Sequence, residues 1–438
     1  MALTPSQQAT VKATAPAVEQ HGEAITRLMY TTMLATNPSL NSIFNRTHQA
    51  TGHQARALAA ALHAYALHID DLAALAPAVD LMVAKHASLG VTADMYDIVA
   101  THLLAAMKSV LGPDAMTDDV TAAWAAAYWQ LAGLLVAREK EAAALAASHG
   151  WAAGAWRPFR VARKAKEARA LASLYLEPAD GKPLPAFLPG QFVSVRLFVP
   201  ALGHEQPRQY SLSDAPRPDY FRITVKREEG LAAAAAAPPT SNGDAAPSAA
   251  AHREASALVS NLLHDELKAG DELLVSHPFG DFFLGAGAPA GAPGAEREEG
   301  PVVLLAAGVG LTCLMAMLNY ETARRSPRPL AFVHVARGAA ERGFAQHVRD
   351  LARARENVRH VFFATRPAEG EVKGRDYHFR GRLDLGVLGE DVLFTEDPRT
   401  LYFVCGPVGF MADLKRGLVG KGVAEDRIRM EAYSTGGV

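Results

Sequence analysis

The sequence predicts a multidomain chain with three fold classes in series: an all-α segment, an antiparallel β-barrel, and an α/β segment with a parallel sheet. Three observations predict it. Up to about residue 148 the chain is rich in Ala, Leu and Met and has few β-branched runs, which is helical composition. From about Trp151, short alternating runs appear between Pro and Gly, the pattern of half-buried antiparallel strands. From about Pro301, continuous apolar runs alternate with helical stretches, the pattern of βαβ units around a buried parallel sheet. The expected boundaries are residues 1–148, 151–298 and 299–438.

Local signals justify each segment. Thr4-Pro5-Ser6-Gln7 predicts a helix start, with Thr4 as cap, Pro5 in the first turn and Gln7 reaching back. Asn37-Pro38 predicts a helix end, and Thr92 and Thr117 are further caps. In the middle third, Gln191–Leu197, Arg208–Leu212 and Tyr220–Lys226 read as strands. In the last third, Val302–Leu305, Leu330–Val335 and Leu401–Val404 do. Leu231–Ala251 and Gly285–Gly300 are Ala-, Pro- and Gly-rich and read as surface loops.

Composition excludes several classes. Of 438 residues, Lys and Arg number 44 and Asp and Glu 46, for a net charge of −2, with no long basic run. Nucleic acid is therefore not an expected partner. Two cysteines, Cys313 and Cys405, are too few for a disulfide framework or a Cys-rich metal site. The N-terminus lacks a basic start followed by an apolar run, so a cytoplasmic location is expected. Val120–Ala137 and Pro301–Leu318 are uncharged, but Trp, Tyr and Gln in the first and Gly308-Val309-Gly310 in the second argue for buried elements rather than membrane spans.

In the helical third, several polar residues share apolar stripes. His86 shares a face with Val79, Met82 and Val83. Tyr96 aligns with Val99 and Leu103, Glu139 with Leu131 and Leu135, Gln54 with Leu58 and Ala61, and Tyr30 with Met33 and Leu34. Each alone is equally a satisfied core residue or a solvated helix end. Together, the order and spacing of Tyr30, Phe44, Gln54, Leu58, Lys85-His86, Tyr96 and Glu139 resemble the globin domain of the flavohaemoglobin family.

The resemblance implies that His86 is the proximal iron ligand of a haem b, with Phe44 and Leu58 against the porphyrin and Lys85 near a propionate or the domain junction. It implies that Tyr30 and Gln54 face the ligand on the opposite side. His53 is a rival, but it precedes Gln54 by one position, and a helix turns it about 100° away. A carboxylate accepting the second imidazole N–H makes the ring electron-rich and fixes its tautomer. Glu139 supplies that carboxylate and Tyr96 orients it. Simple oxygen storage does not require this arrangement.

The rest of the chain carries a second set. Arg208-Gln209-Tyr210-Ser211 offers a cation for a diphosphate, a ring to stack and a hydroxyl for a ring nitrogen. With Gln191-Phe192 before it, and Lys226, Glu228, Ser260 and Pro278-Phe279-Gly280 after it, the set resembles a ferredoxin-reductase-like FAD domain. The family runs almost directly from the Lys-Arg-Glu-Glu-Gly segment to Ser260; this chain inserts about 231–257. Gly308, Val309, Gly310, Leu311 and Thr312 follow a strand and open a helix, where glycines and a helix N-terminus suit a diphosphate. With Cys405-Gly406-Pro407 they resemble the family's NAD(P) elements, although Cys313 stands where Pro is usual. Tyr433 stands where the family has a Phe over the flavin. Arg337, after the second strand of the last third, either meets a 2′-phosphate or is a surface charge, so NADH and NADPH both remain open.

The implied activity is that of a nitric oxide dioxygenase, converting NO and O2 to nitrate with electrons from NADH or NADPH through FAD to haem. A monomer with small-molecule partners is expected. Two alternatives stay open: an oxygen-binding or sensing globin kept ferrous by its own reductase, and a haem-free flavin reductase.

Overall fold

At Thr4 the hydroxyl accepts the Gln7 amide at 3.2 Å, and Gln7 Oε1 accepts the Thr4 amide at 2.9 Å. This closed capping box opens helix α1 (Pro5–Thr36). The computed structural model describes residues 3–44, 52–151, 156–228, 258–285 and 300–433, with the side chain of His53 excepted. The loop prediction for Leu231–Ala251, the insertion at 231–257 and nearly all of Gly285–Gly300 therefore lie outside the described residues.

Helix α1 stops at Asn37, ahead of Pro38, and α2 (His53–Leu67), α3 (Ala76–Leu89), α4 (Ala93–Leu111) and α5 (Asp118–Ser148) follow. Thr117 caps α5 by accepting the Val120 amide at 3.3 Å. Thr92 has the extended backbone of a cap without the side-chain bond. Met29, Met33, Leu103, Met107 and Trp124 form the shared core of these helices. The uncharged stretch Val120–Ala137 lies within α5, which is long and apolar enough by composition to cross a membrane. Its Ala123, Trp124, Ala127, Ala132 and Leu135 turn inward against the other helices.

Strands β1 (Arg157–Ala168), β2 (Leu171–Pro178), β3 (Phe192–Val199), β4 (His204–Ser211), β5 (Phe221–Lys226) and β6 (Glu272–Val275) form one antiparallel sheet in the order β4-β3-β6-β1-β2-β5. A bridge between Leu212 and Ile223 brings its two edges together and closes a barrel. Inside lie Phe159, Leu174, Leu176, Val193, Val195 and Phe221.

The last part is an all-parallel sheet built from β7 (Val302–Ala307), β8 (Leu330–Ala336), β9 (Val358–Ala364), β10 (Phe379–Arg380), β11 (Leu401–Cys405) and β12 (Ile428–Glu431). Its order, β10-β9-β8-β7-β11-β12, shows the chain winding outward from β7 and then returning to β7's other side. Such a reversal opens a crevice at the carboxyl ends of the two strands that flank it. Here those strands are β7 and β11. Helix α6 (Leu311–Ala323) leaves from this point, so Pro301–Leu318 is a strand, a turn and a buried helix.

Candidate functional site

Helix α3 ends at Gly90, whose left-handed φ of 73° turns the chain so that the Val91 amide reaches His86 O. This holds His86 in the last turn, facing a cavity. His86 Nδ1 lies 2.8 Å from Glu139 Oε1 and 3.0 Å from the Tyr96 hydroxyl. The Tyr96 hydroxyl donates to the same carboxylate oxygen at 2.6 Å. Its one proton is thus committed to Glu139, so His86 carries hydrogen on Nδ1 and keeps a lone pair on Nε2. Glu139 and Tyr96 are both buried. Burial, and then the Glu139 charge, push the Tyr96 hydroxyl far above its ordinary range, which keeps it a donor.

Across the cavity, Tyr30 is hydrogen-bonded by Gln54 and meets Phe44 edge-on at 5.6 Å. Burial raises its hydroxyl too, so Tyr30 is a neutral donor. Between the two polar groups the walls are apolar, including Met29, Leu58, Met82, Val99 and Leu135. A flat apolar ring with one open coordination position toward His86 fits this lining. Lys85 also lines it. His63 instead pairs with Glu19, and His102 bonds Thr32 and Thr36.

The same cavity, about 490 Å³, continues into the barrel. Arg208, Gln209, Tyr210, Ser211, Lys226, Glu228 and Ser260 line that end, joined by Val309, Thr312 and Tyr433. Burial pushes the Arg208 guanidinium down to about 10, and the group stands at the cavity wall, where a diphosphate would favour its charged form. The chain therefore fits a flavin nucleotide here.

Gln191 and Phe192 do not line the cavity. Gln191 Oε1 accepts the Leu188 amide at 2.8 Å and so closes its own turn. Phe192 exchanges backbone bonds with Phe279 and packs with Ala87 and Phe279 where helices meet barrel. Ser88, two residues after His86, lies 2.9 Å from Ser194 Oγ and 3.1 Å from Gln209 Nε2. The helix bearing His86 is thus fastened to β3 and β4.

At the crevice, Gly310 packs so tightly that a Cβ there would lie 2.2 Å from Cys405 O. A Cβ on Gly406 would likewise lie 2.9 Å from Ala307 Cβ. The two glycine turns touch, which brings Gly308–Thr312 and Cys405–Pro407 together; of these, Val309 and Thr312 line the cavity, while Gly308 and Pro407 are exposed. Tyr433 sits between barrel and sheet, with its hydroxyl 3.3 Å from Ser211 Oγ and 2.8 Å from Thr312 Oγ1. Cys313 and Cys405 lie side by side, both buried.

Three residues were not foreseen in the sequence. His334 Nε2 donates to Gly308 O at 3.0 Å and so braces the first glycine turn. Glu431 and Asp281 both act on Lys85, whose ammonium burial pulls down and these carboxylates push back up. The Glu431 carboxyl is itself pushed up to about 7, by burial first and by Asp281 second, against the pull of Lys85.

One cavity thus joins a helical pocket backed by a carboxylate to a barrel and a doubly wound sheet, which is the construction of a globin fused to a two-domain reductase. The Globin family matches residues 27–135. Over its full length the chain is 46% identical to the Flavohemoprotein of Bordetella parapertussis, covering 100% of both chains. It is 43% identical to that of Chromobacterium violaceum, over 99% of this chain and 98% of the relative. The chain belongs to the flavohemoprotein family. The crystal structure of flavohemoglobin from Malassezia yamatoensis with bound FAD and heme superposes with a TM-score of 0.80 at 25% identity, over 99% and 100% of the two chains. The FAD/NAD-binding domain of a nitric oxide dioxygenase from Vibrio cholerae matches with a TM-score of 0.50 at 29% identity, over 63% of this chain and 98% of that one.

Proposed function

We propose that this chain is an NAD(P)H-dependent nitric oxide dioxygenase, in which two NO, two O2 and one NAD(P)H give two nitrate, NAD(P)+ and a proton. The observation that carries the reading is the contact of His86 Nδ1 with Glu139 at 2.8 Å, braced by Tyr96. A proximal carboxylate is a redox device that an oxygen store does not need. We assign residues 1–148 to haem binding, 151–298 to FAD and 299–438 to NAD(P)H.

When bound, the haem supplies the iron at which dioxygen reacts, and FAD divides a hydride into single electrons. His86 would hold the iron through Nε2, while Glu139 at Nδ1 would keep the imidazole electron-rich. Tyr30 and Gln54 donate hydrogen bonds toward the opposite side, where negative charge gathers. Arg208 would pair with the flavin diphosphate, and Ser211 would bond the ring. Gly308–Thr312 and Cys405–Pro407 would hold the nicotinamide nucleotide, and Tyr433, bonded to Ser211 and Thr312, would stand between it and the flavin site. Ser88 and Lys85 keep the His86 helix seated on the flavin domain. Two buried free thiols and no disulfide among the described residues suit a reducing cytoplasm.

The test is an absorption spectrum of the purified protein before and after anaerobic NADH or NADPH, followed by addition of O2 and NO with nitrate analysis. The reading predicts Soret and flavin bands, reduction of both, and nitrate in proportion to NO. A spectrum with flavin alone would leave a haem-free reductase. Reduction of both cofactors without nitrate would leave an oxygen-binding globin.

A further inference from the structure

The carboxyl edge of the parallel sheet carries charge that the reading above does not use. Arg337 follows β8, Arg366 follows β9, Arg380 ends β10, and Arg382 lies two residues beyond. All four side chains are exposed. Among the described residues, none of the four has a side-chain hydrogen bond or an ion-pair partner. Neighbouring arginines of the same domain do: Arg375 pairs with Asp376, Arg353 with Asp350 and Arg399 with Asp397.

Backbone register sets the four in a row. The Arg366 amide donates to Arg337 O at 2.7 Å, and the Arg380 position pairs with Ala364. Strand β8 in turn lies beside β7, which ends at the Gly308 turn. At about 4.8 Å per strand, Arg337 and Arg366 lie roughly 5 and 10 Å along the edge from that turn. Two of the three nearby carboxylates are engaged elsewhere. Glu371 gives Oε1 to the Ala339 amide at 2.9 Å, and its Oε2 is buried. Glu341 pairs with Arg169 at 2.7 Å. Glu369 is the one nearby acid that is exposed and unpaired among the described residues.

We infer that Arg337 and Arg366, with Arg380 and Arg382 behind them, form a phosphate-reading edge that selects NADPH over NADH. This rests on the reading of the chain as an NAD(P)H oxidoreductase. In a doubly wound sheet the dinucleotide lies across the carboxyl ends, its diphosphate at the first glycine turn and its adenosine ribose over the next strand. An acid there accepts the ribose 2′-hydroxyl, whereas arginines there take a 2′-phosphate. Here the strand ends offer arginines, Glu371 and Glu341 are engaged elsewhere, and Glu369 is the exposed acid beside them. A guanidinium–phosphate contact is charge-assisted, so each one is expected to contribute roughly tenfold or more in discrimination.

The experiment uses the holoprotein. Flavin reduction kinetics with NADPH and with NADH give two values of kcat/KM, and 2′,5′-ADP and 5′-ADP serve as competing probes. The expected result is at least tenfold preference for NADPH, and at least tenfold tighter binding of 2′,5′-ADP. In Arg337→Ala/Arg366→Ala the NADPH-to-NADH ratio should fall at least tenfold. Both side chains are exposed, so the variant is expected to fold, and the probe comparison on the unaltered protein stands without it. A preference under tenfold, or one that survives the double substitution, overturns the inference while leaving the oxidoreductase reading intact. Failure of both nucleotides to reduce the flavin overturns the two together.

Discussion

At the scale of single residues, the site depends on which group holds which proton. The Tyr96 hydroxyl has one proton and gives it to Glu139, which leaves the carboxylate to draw on His86 Nδ1. Replacing Glu139 by Gln preserves shape but removes the charge. The iron–histidine stretching frequency should then fall in resonance Raman spectra of the reduced holoprotein, and activity should drop roughly 10- to 100-fold. Tyr96→Phe should produce a smaller shift in the same direction. On the other side, Tyr30→Phe removes the neutral donor that Gln54 positions, and dioxygen should dissociate roughly tenfold faster in stopped flow. These residues stood out in the sequence as polar groups on apolar helical stripes, and only their joint order and spacing, through the family resemblance, suggested roles for them. Glu431 and Asp281 were not, because their meaning lies in a meeting with Lys85 that no local pattern encodes. Gln191 was assigned to the flavin through the family resemblance; its side-chain oxygen accepts the Leu188 amide and closes that turn.

At the scale of elements, periodicity did most of the work. The alternating run at Gln191–Leu197 became β3, and the unbroken apolar runs became β7, β8 and β11, buried on both faces. Barrel closure was less visible, because one bridge between Leu212 and Ile223 accomplishes it. The glycine turns were legible as places where a diphosphate could approach the backbone, but the packing reason for Gly310 emerges only in three dimensions. A methyl group there meets Cys405 O at 2.2 Å. Gly310→Ala should therefore push the two turns apart. The expected outcome is a loss of roughly 1–3 kcal/mol in stability and a large fall in the rate of flavin reduction by NAD(P)H. Thermal melts and anaerobic stopped flow measure the two effects separately.

At the scale of the whole molecule, three differently built segments meet around one cavity, and the junction is charged. Lys85 comes from the helices, Asp281 from the chain leaving the barrel and Glu431 from the parallel sheet. The Glu431 carboxyl, pushed up to about 7 from its ordinary 4.5, favours folding while neutral. That contribution is complete below pH 4.5 and is lost as pH rises through about 7. Glu431→Gln is neutral throughout, so its Tm relative to the unaltered protein should rise between pH 5 and pH 8.5. A difference independent of pH would contradict the buried-acid account. Histidines act in the opposite sense. Burial pulls His277 down to about 4 and His360 to about 4, so both stay neutral in the fold. The stability that neutrality carries is present above the ordinary 6.5 and is lost as pH falls through 4, on the order of 3 kcal/mol for His277.

Nitrate formed per NO consumed, followed in stopped flow with haem- and FAD-loaded protein, O2 and the reduced nicotinamide nucleotide, tests the account most directly when run on the unaltered chain beside Glu139→Gln. The account predicts one nitrate per NO in the first and a rate at least tenfold slower in the second, with the cofactors still bound. Nitrate absent from the first, or equal rates in both, would contradict it.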